Sequence, residues 1–358
     1  MTRSIDRRQL LEATLAAAGA ALLGGTASDA HAQARKGWAA VPPAGFQRLS
    51  LPGKVVKVSK GGVMQPGDVY PKPDAARIML ERAMTELTGK STLKEALALF
   101  VHEDDEVALK PNGIAGRQSM KMATSKELTV AVVDGLIEVG VKPDKITIFE
   151  QYRDFLYATR LITDKISLTP AEELPAGIKM AVHLNRDATM DAIDVGGTST
   201  KYVTPFTNAS VVINLSQVKD HSICGYTGAM KNITHGCNIN PHDFHAHNAS
   251  PQIAHLYAQD VIKSRVALHI TDAYQVIYDE GPIDVNPRKR VLHEALYVST
   301  DPVALDVIGH KAVEKLRAEN GLPSLADAGR EPTYIRAAAE LGLGVYDDNR
   351  IRFRDVSL

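Results

Sequence analysis

Two periods of apolar residues alternate along most of the chain. Short runs rich in β-branched residues predict strands at KVVKVS (54–59), EVALKPN (106–112), KITIFE (145–150) and IKMAVHL (178–184). ASVVINLS (209–216), RVALHITDA (265–273), HEALYVSTDP (293–302) and a closing NRIRFRDV continue the series. Between them the period lengthens to that of a helix, at 74–89, 91–100, 124–140, 250–264, 302–321 and 332–341. In the first of these Ile78, Leu80, Ala83, Met84 and Leu87 make most of one face, and Gly89 is the stop. Thr124 and Glu127 have capping-box spacing, and Gly140 ends that helix. Ser250 is an N-cap candidate, with Pro251 in the first turn.

The run VVINLS does not alternate, as in a strand buried on both faces. Strands of that kind separated by helices predict an α/β fold with a largely parallel central sheet, covered by helices on both faces. Residues 151–208 follow neither period well and read as a less regular insertion. No repeat of fixed period is present.

Composition changes this picture at the N-terminus. Arg7 and Arg8 precede an uncharged stretch from Ala13 to Thr26, and Ala30-His31-Ala32 has the small-x-small form of a cleavage site. Residues 1–32 are thus expected to be an export signal of the twin-arginine type, cleaved before Gln33. Asp6, Leu10 and Glu12 depart from the usual flanking pattern. The expectation is a protein exported folded to the periplasm or beyond, with the twin-arginine translocation machinery as a partner. The apolar run is too short for a stable membrane span. Residues 33–53 mix Pro, Gly and small residues as a linker or arm, leaving 54–358 as a single α/β domain.

A net charge of -1 and an aromatic content of 5% argue against a nucleic-acid surface. Two cysteines are too few for a disulfide scaffold, so the core must hold the fold. Cys224 and Cys237 flank a short predicted helix, which leaves both a disulfide and two free thiols open.

Parallel sheets place ligands at the carboxyl ends of their strands. The predicted strands end in Lys110 and Asn112, in Glu150, in Lys219, Asp220 and His221, in Asp272 and in Asp301. If all faced one rim, they would suit an anion held with a metal. Each taken alone is equally a solvated turn residue, and Asp301 before Pro302 is a natural helix N-cap. In GYTGAMKN, Thr227 as N-cap and Gly228 open a short helix whose first-turn N–H groups form an anion cradle, with Lys231 one turn on. Walker, GxGxxG and GxSxG patterns are absent. Downstream, His235, Cys237, His242, His245 and His247 offer an alternative metal set.

INLSQVKDHSICGYTGAMKN, LYVSTDPVALDVIG, VALKPN and VVDGLIEVGVKPDKITIFE together resemble the bacterial and archaeal family called "domain of unknown function 362". The resemblance covers about residues 54–325. It falls on Lys110, Asn112, Glu150, Lys219, His221, Lys231, Asn232, Asp272, Asp301 and Asp306. The family has no general assigned reaction. Some members carry ferredoxin-type segments; the cysteines for them are missing here, so no iron–sulfur cluster is expected. The histidine-rich tail after Asn232 lies outside the shared pattern.

The leading expectation is an exported enzyme acting on a small anionic molecule, by metal-assisted or acid/base chemistry. Lys219, His221 and Lys231 form its catalytic set, with His221 titrating near working pH. Lys110, Asn112, Thr227, Gly228 and Asn232 would bind substrate. Glu150, Asp272 and Asp301 would hold a divalent metal. The alternatives are a non-catalytic periplasmic metal- or ligand-binding protein and an accessory subunit of a redox complex.

Overall fold

All eleven residues of strand β7 (Val211–His221) are buried, charged ones included. A strand so enclosed must sit inside a sheet with both faces covered. The computed structural model describes residues 38–117 and 120–358 and gives that arrangement. The expected export signal lies outside these residues.

The other strands are β1 (Lys54–Ser59), β2 (Val107–Lys110), β3 (Ile146–Glu150), β4 (Lys179–Val182), β8 (Gly225–Thr227), β9 (Val266–Ile277), β10 (Arg290–Ser299) and β11 (Arg352–Ser357). They form a nine-stranded sheet in the order β11-β1-β10-β9-β7-β2-β3-β4, with β8 paired to the end of β7. β9, β7, β2, β3 and β4 run parallel, and β1 is parallel to β11. β10 is antiparallel to both its neighbours, and β8 is antiparallel to β7. The sheet is mixed and mostly parallel.

One face carries α1 (Pro73–Thr88), α2 (Leu93–Leu97) and α3 (Lys126–Val139). Met79, Leu80, Leu97 and Val132 there pack on Leu109, Ile213 and Leu215 from the sheet. The opposite face carries α6 (Ala229–Thr234), α7 (Gln252–Tyr257), α8 (Asp260–Lys263), α9 (Pro302–Glu319) and α10 (Tyr334–Glu340). Met230, Ile253, Val303 and Ile335 pack there on Val212, Val218 and Ala273. Helices thus cover both faces. Each full burial of such a side chain contributes roughly 1.5–3 kcal/mol.

The segment after β3 holds α4 (Arg153–Ala158), β4, the hairpin β5 (Ile193–Val195) with β6 (Thr198–Thr200), and α5 (Thr204–Thr207). It is irregular as expected, and the strand predicted at 178–184 forms within it as β4, one of the sheet's two edge strands. The arm has no helix or strand between residues 38 and 53. It lies on the domain through Leu49 N–H to Leu99 O (2.9 Å) and Arg48 to Asp105 (2.6 Å).

Several local expectations fail for tertiary reasons; Ser250 does not cap its helix, which starts after Pro251, and its hydroxyl accepts from Thr333 instead. The capping box at Thr124 does not form, because Thr124 Oγ1 donates to Leu215 O and Glu127 pairs with Arg160. The helix expected at 250–264 divides into α7 and α8, since Gln259 is extended and its side-chain amide donates to His255 O. The short helix after β8 is capped by Gly228 rather than Thr227.

Candidate functional site

The five consecutive parallel strands put their carboxyl ends on one rim, and a cleft of about 380 Å³ opens there. Lys110 ends β2 and Asn112 follows it. Glu150 ends β3, and His221 ends β7. β8 turns back with Thr227, and α6 brings Lys231 and Asn232. All of these line the cleft. Lys219 sits behind them, fully buried.

Two predicted metal ligands lie elsewhere. β10 runs against β9, with Ser299 beside His269, so Asp301 emerges at the opposite edge of the sheet. Its carboxylate accepts N–H groups of Gly53 (2.8 Å), Ala304 (2.9 Å) and Val345 (2.9 Å) and caps α9. Asp272 points to the α1–α3 face, where one oxygen accepts Ser125 N–H (2.8 Å) and Ser125 Oγ–H (2.7 Å) at the start of α3. Burial raises its pKa to about 6. Glu150 does line the cleft, and its oxygens are engaged by Lys110 Nζ (3.0 Å), Gly113 N–H (2.8 Å) and Gln151 N–H (2.7 Å). The set Glu150, Asp272 and Asp301 therefore does not converge.

The anion cradle at the start of α6 is also filled from within. Asp306, from α9, accepts Ala229 N–H at 2.6 Å and Met230 N–H at 3.2 Å. Burial raises that carboxyl to about 7. The first-turn N–H groups behind Gly228 are thus satisfied by protein, and Gly228 itself allows the approach: a Cβ there would clash with Asp306 Oδ1. Thr227 is freed from capping. Its hydroxyl is buried in the cleft wall without a hydrogen-bond partner.

The histidine-rich segment is not a separate unit. It folds over the cleft, where His235, His242 and His245 join His221; ring centroids are 4.7 Å apart for His235–His245 and 6.2 Å for His221–His245. Cys237 is buried in the α6–α10 core and His247 is exposed, away from the cleft. Backbone groups fix the tautomers. His245 gives its Nδ1 proton to Pro241 O (2.9 Å), which leaves the Nε2 lone pair facing Lys231 Nζ at 3.2 Å. His221 Nδ1 accepts Ile223 N–H (3.1 Å), so its neutral ring carries the proton on Nε2. His235 donates from Nε2 to Phe244 O (3.1 Å). His221 thus keeps an Nε2–H free, His235 spends both ring nitrogens on Phe244 O and Thr234 Oγ1, and His245 faces an ammonium. Among the described residues no three His, Cys, Asp or Glu side chains are spaced to hold a metal ion. The donor set as arranged does not fit one.

Burial, followed by the charges of Lys231 and its neighbours, pushes His221 well below the usual histidine range. The ring expected to titrate near working pH is instead a neutral donor. Burial lowers Lys231, and brings Lys219 to about 7. Lys110 is balanced by Glu150, whereas Lys231 has no carboxylate within ion-pair distance among the described residues.

Several cleft residues carried no signal in the sequence. Arg117 brings a guanidinium from the loop after β2. Gln151 and Asn185 are joined at 2.6 Å, and Asn185 donates to Tyr152 OH at 2.7 Å. Their only cue was position, just after the ends of β3 and β4.

Residues 107–311, more than half of the chain, match the family model described as "Domain of unknown function (DUF362)". The chain belongs to this family. The match holds every strand of the parallel core and all the cleft residues named above; β1, α1 and α2 precede it. No curated protein matches the chain. Among solved structures it is similar to the lactate racemase apoprotein from Thermoanaerobacterium thermosaccharolyticum, at 11% identity with a TM-score of 0.41. That similarity covers 73% of this chain and 57% of the other, so the chain spans little more than half of that protein's length.

Proposed function

We propose that this DUF362 protein is an enzyme that binds a small carboxylate-bearing anion in the rim cleft and works by acid/base chemistry without a metal. The observation that carries the reading is Lys231. The residue is 6% exposed and lines the cleft, and its ammonium lacks a carboxylate partner among the described residues. An unpaired charge that deep costs several kcal/mol, which an anionic ligand offsets. The orphan Thr227 hydroxyl in the same wall supports a ligand with polar oxygens.

In this reading Lys231 binds the anion and supplies or accepts a proton, helped by a pKa that burial has lowered. His221 donates its Nε2–H to oxygen on which negative charge develops; a neutral imidazole can do so without giving up its proton. Lys110 with Glu150 forms a rigid floor. Asn112 holds the Lys219 ammonium, and Asn232 braces the Lys110 carbonyl. Thr227 and Arg117 contribute further donors, and Lys219 holds a second shiftable proton behind Asn112. Export by the twin-arginine route belongs to the same proposal, on the strength of Arg7, Arg8 and the stretch after them. Retention of an R7K/R8K double variant in the cytoplasm is its test.

The binding test is calorimetry of the purified chain with a panel of small carboxylates and inorganic phosphate. Wild-type protein is expected to bind at least one carboxylate, and Lys231→Met to weaken it by tenfold or more. Equal affinity in the variant sinks the reading. Elemental analysis of the same preparation decides the rival. Stoichiometric metal that is lost with His242→Ala and His245→Ala, in protein that binds no carboxylate, would make this a metal-binding protein instead.

A further inference from the structure

The pairing of Lys231 with His245 has the form of an activated nucleophile: an attacking group, a base within hydrogen-bond reach, and a third group that holds the base in one tautomer. Nζ lies 3.2 Å from the Nε2 lone pair, and the Pro241 carbonyl fixes that tautomer at 2.9 Å. We infer that Lys231 forms a Schiff base with the carbonyl carbon of a 2-oxo acid. This deepens the anion-site reading and rests on it.

The other lysines of the site are unsuited to the step. Lys110 is tied to Glu150 at 3.0 Å and to Pro111 O at 2.8 Å. Lys219 is fully enclosed and donates to Asn112 Oδ1. Lys231 alone of the three faces the cleft without a carboxylate, among the described residues. A 2-oxo acid supplies what this surrounding lacks: a carboxylate for the positive wall, and a carbonyl oxygen for the partnerless Thr227 hydroxyl and the His221 Nε2–H. Burial disfavours the ammonium of Lys231 relative to its free amine.

The step balances within the site. The Lys231 ammonium gives one proton to His245 Nε2, and the free amine attacks the carbonyl carbon. A carbon–nitrogen bond forms, and the carbonyl π-pair moves to oxygen, which takes a proton from the new nitrogen. His245 then returns its proton to that hydroxyl, the carbon–oxygen bond breaks and water leaves. Ammonium plus carbonyl has become a protonated imine plus water, and His245 is again neutral.

The test is reductive trapping. The purified chain is incubated with pyruvate or glyoxylate and sodium cyanoborohydride, and the product is mapped by peptide mass spectrometry. The expected result is a single reduced adduct on Lys231, absent from Lys231→Met and formed at least tenfold more slowly in His245→Phe. Mapping in the wild-type chain does not depend on how the variants fold. Adducts spread over exposed lysines, or none at all, overturn the inference. If pyruvate nevertheless binds by calorimetry and Lys231→Met abolishes that binding, the anion-site reading stands and only the covalent step is lost. If neither binding nor adduct is seen, both fall.

Discussion

The side-chain amide of Asn112 donates to Asn232 Oδ1 at 2.9 Å, tying the turn after β2 to α6. This bond is one link in a buried chain that runs in a single sense. Lys219 Nζ donates to Asn112 Oδ1 (2.5 Å), Asn232 Nδ2 to Asn214 Oδ1 (2.8 Å), and Asn214 Nδ2 to His269 Nδ1 (2.9 Å). His269 Nε2 meets Tyr257 OH at 3.1 Å. An ammonium can only donate and the Lys110 carbonyl, which also accepts from Asn232, can only accept. Those two ends fix every amide between them.

Asn232→Asp tests that sense. The carboxylate would turn an oxygen toward Lys110 O and Asn214 Oδ1, where a donor now stands. Acceptors left facing one another in a buried site cost about 3 kcal/mol. Urea denaturation should show a loss of that order. A loss under 1 kcal/mol would mean that the network does not hold the asparagines.

Lys219 predicts a pH dependence of stability. In the unfolded chain it keeps its proton up to about its usual value of 10.5, whereas burial brings the folded group to about 7. Between these values the unfolded chain binds more protons, so this group's contribution to stability rises with pH. Lys219→Met removes the titration. From pH 7 to pH 9 the wild type should gain roughly 2 kcal/mol relative to the variant, since one unit corresponds to about 1.4 kcal/mol. Parallel stability curves for the two proteins over that range would rule this out.

Asp301 separates fold from function. It lies at the sheet edge opposite the cleft and holds three backbone N–H groups. Asp301→Ala removes a helix cap and leaves the Gly53 and Val345 donors unsatisfied, a loss of about 3 kcal/mol. Carboxylate affinity of the folded variant should stay within twofold of wild type by calorimetry. A tenfold fall in affinity would show that Asp301 acts at the site after all.

The same residue shows what the chain could and could not disclose beforehand. Continuous apolar runs mark β7 and its parallel neighbours, and the polar residues that end those runs are legible as a rim: Lys110, Asn112, Glu150 and His221 do meet. Strand direction is not written into a run. HEALYVSTDP reads alike in either sense, and because β10 is reversed, Asp301 went to the far edge. Helix caps from distant elements are equally silent. Thr227 has the right chemistry and place for a cap, but Asp306 reaches those N–H groups from α9. The histidines after Asn232 fold back over the cleft through loop geometry that has no period to read. That joins the segments expected to act apart.

Cys224 and Cys237, left open between a disulfide and two thiols, are free and buried on the α6–α10 side of the sheet. Cys224 Sγ–H donates to Tyr226 O at 3.2 Å, and burial raises its pKa to about 11. Burial raises Cys237 to about 12, against the pull of Lys110. The thiolate is the reactive form, and enclosure shields both sulfurs from reagent. A maleimide added to native protein without reductant should therefore modify neither within an hour. In 6 M guanidinium, still without reductant, both should react. Mass spectrometry counts the adducts: two in denaturant establishes free thiols, while none until a reductant is added would establish a bond between Cys224 and Cys237. Modification of native protein at Cys224 would instead show that the wall behind Lys231 opens to solvent.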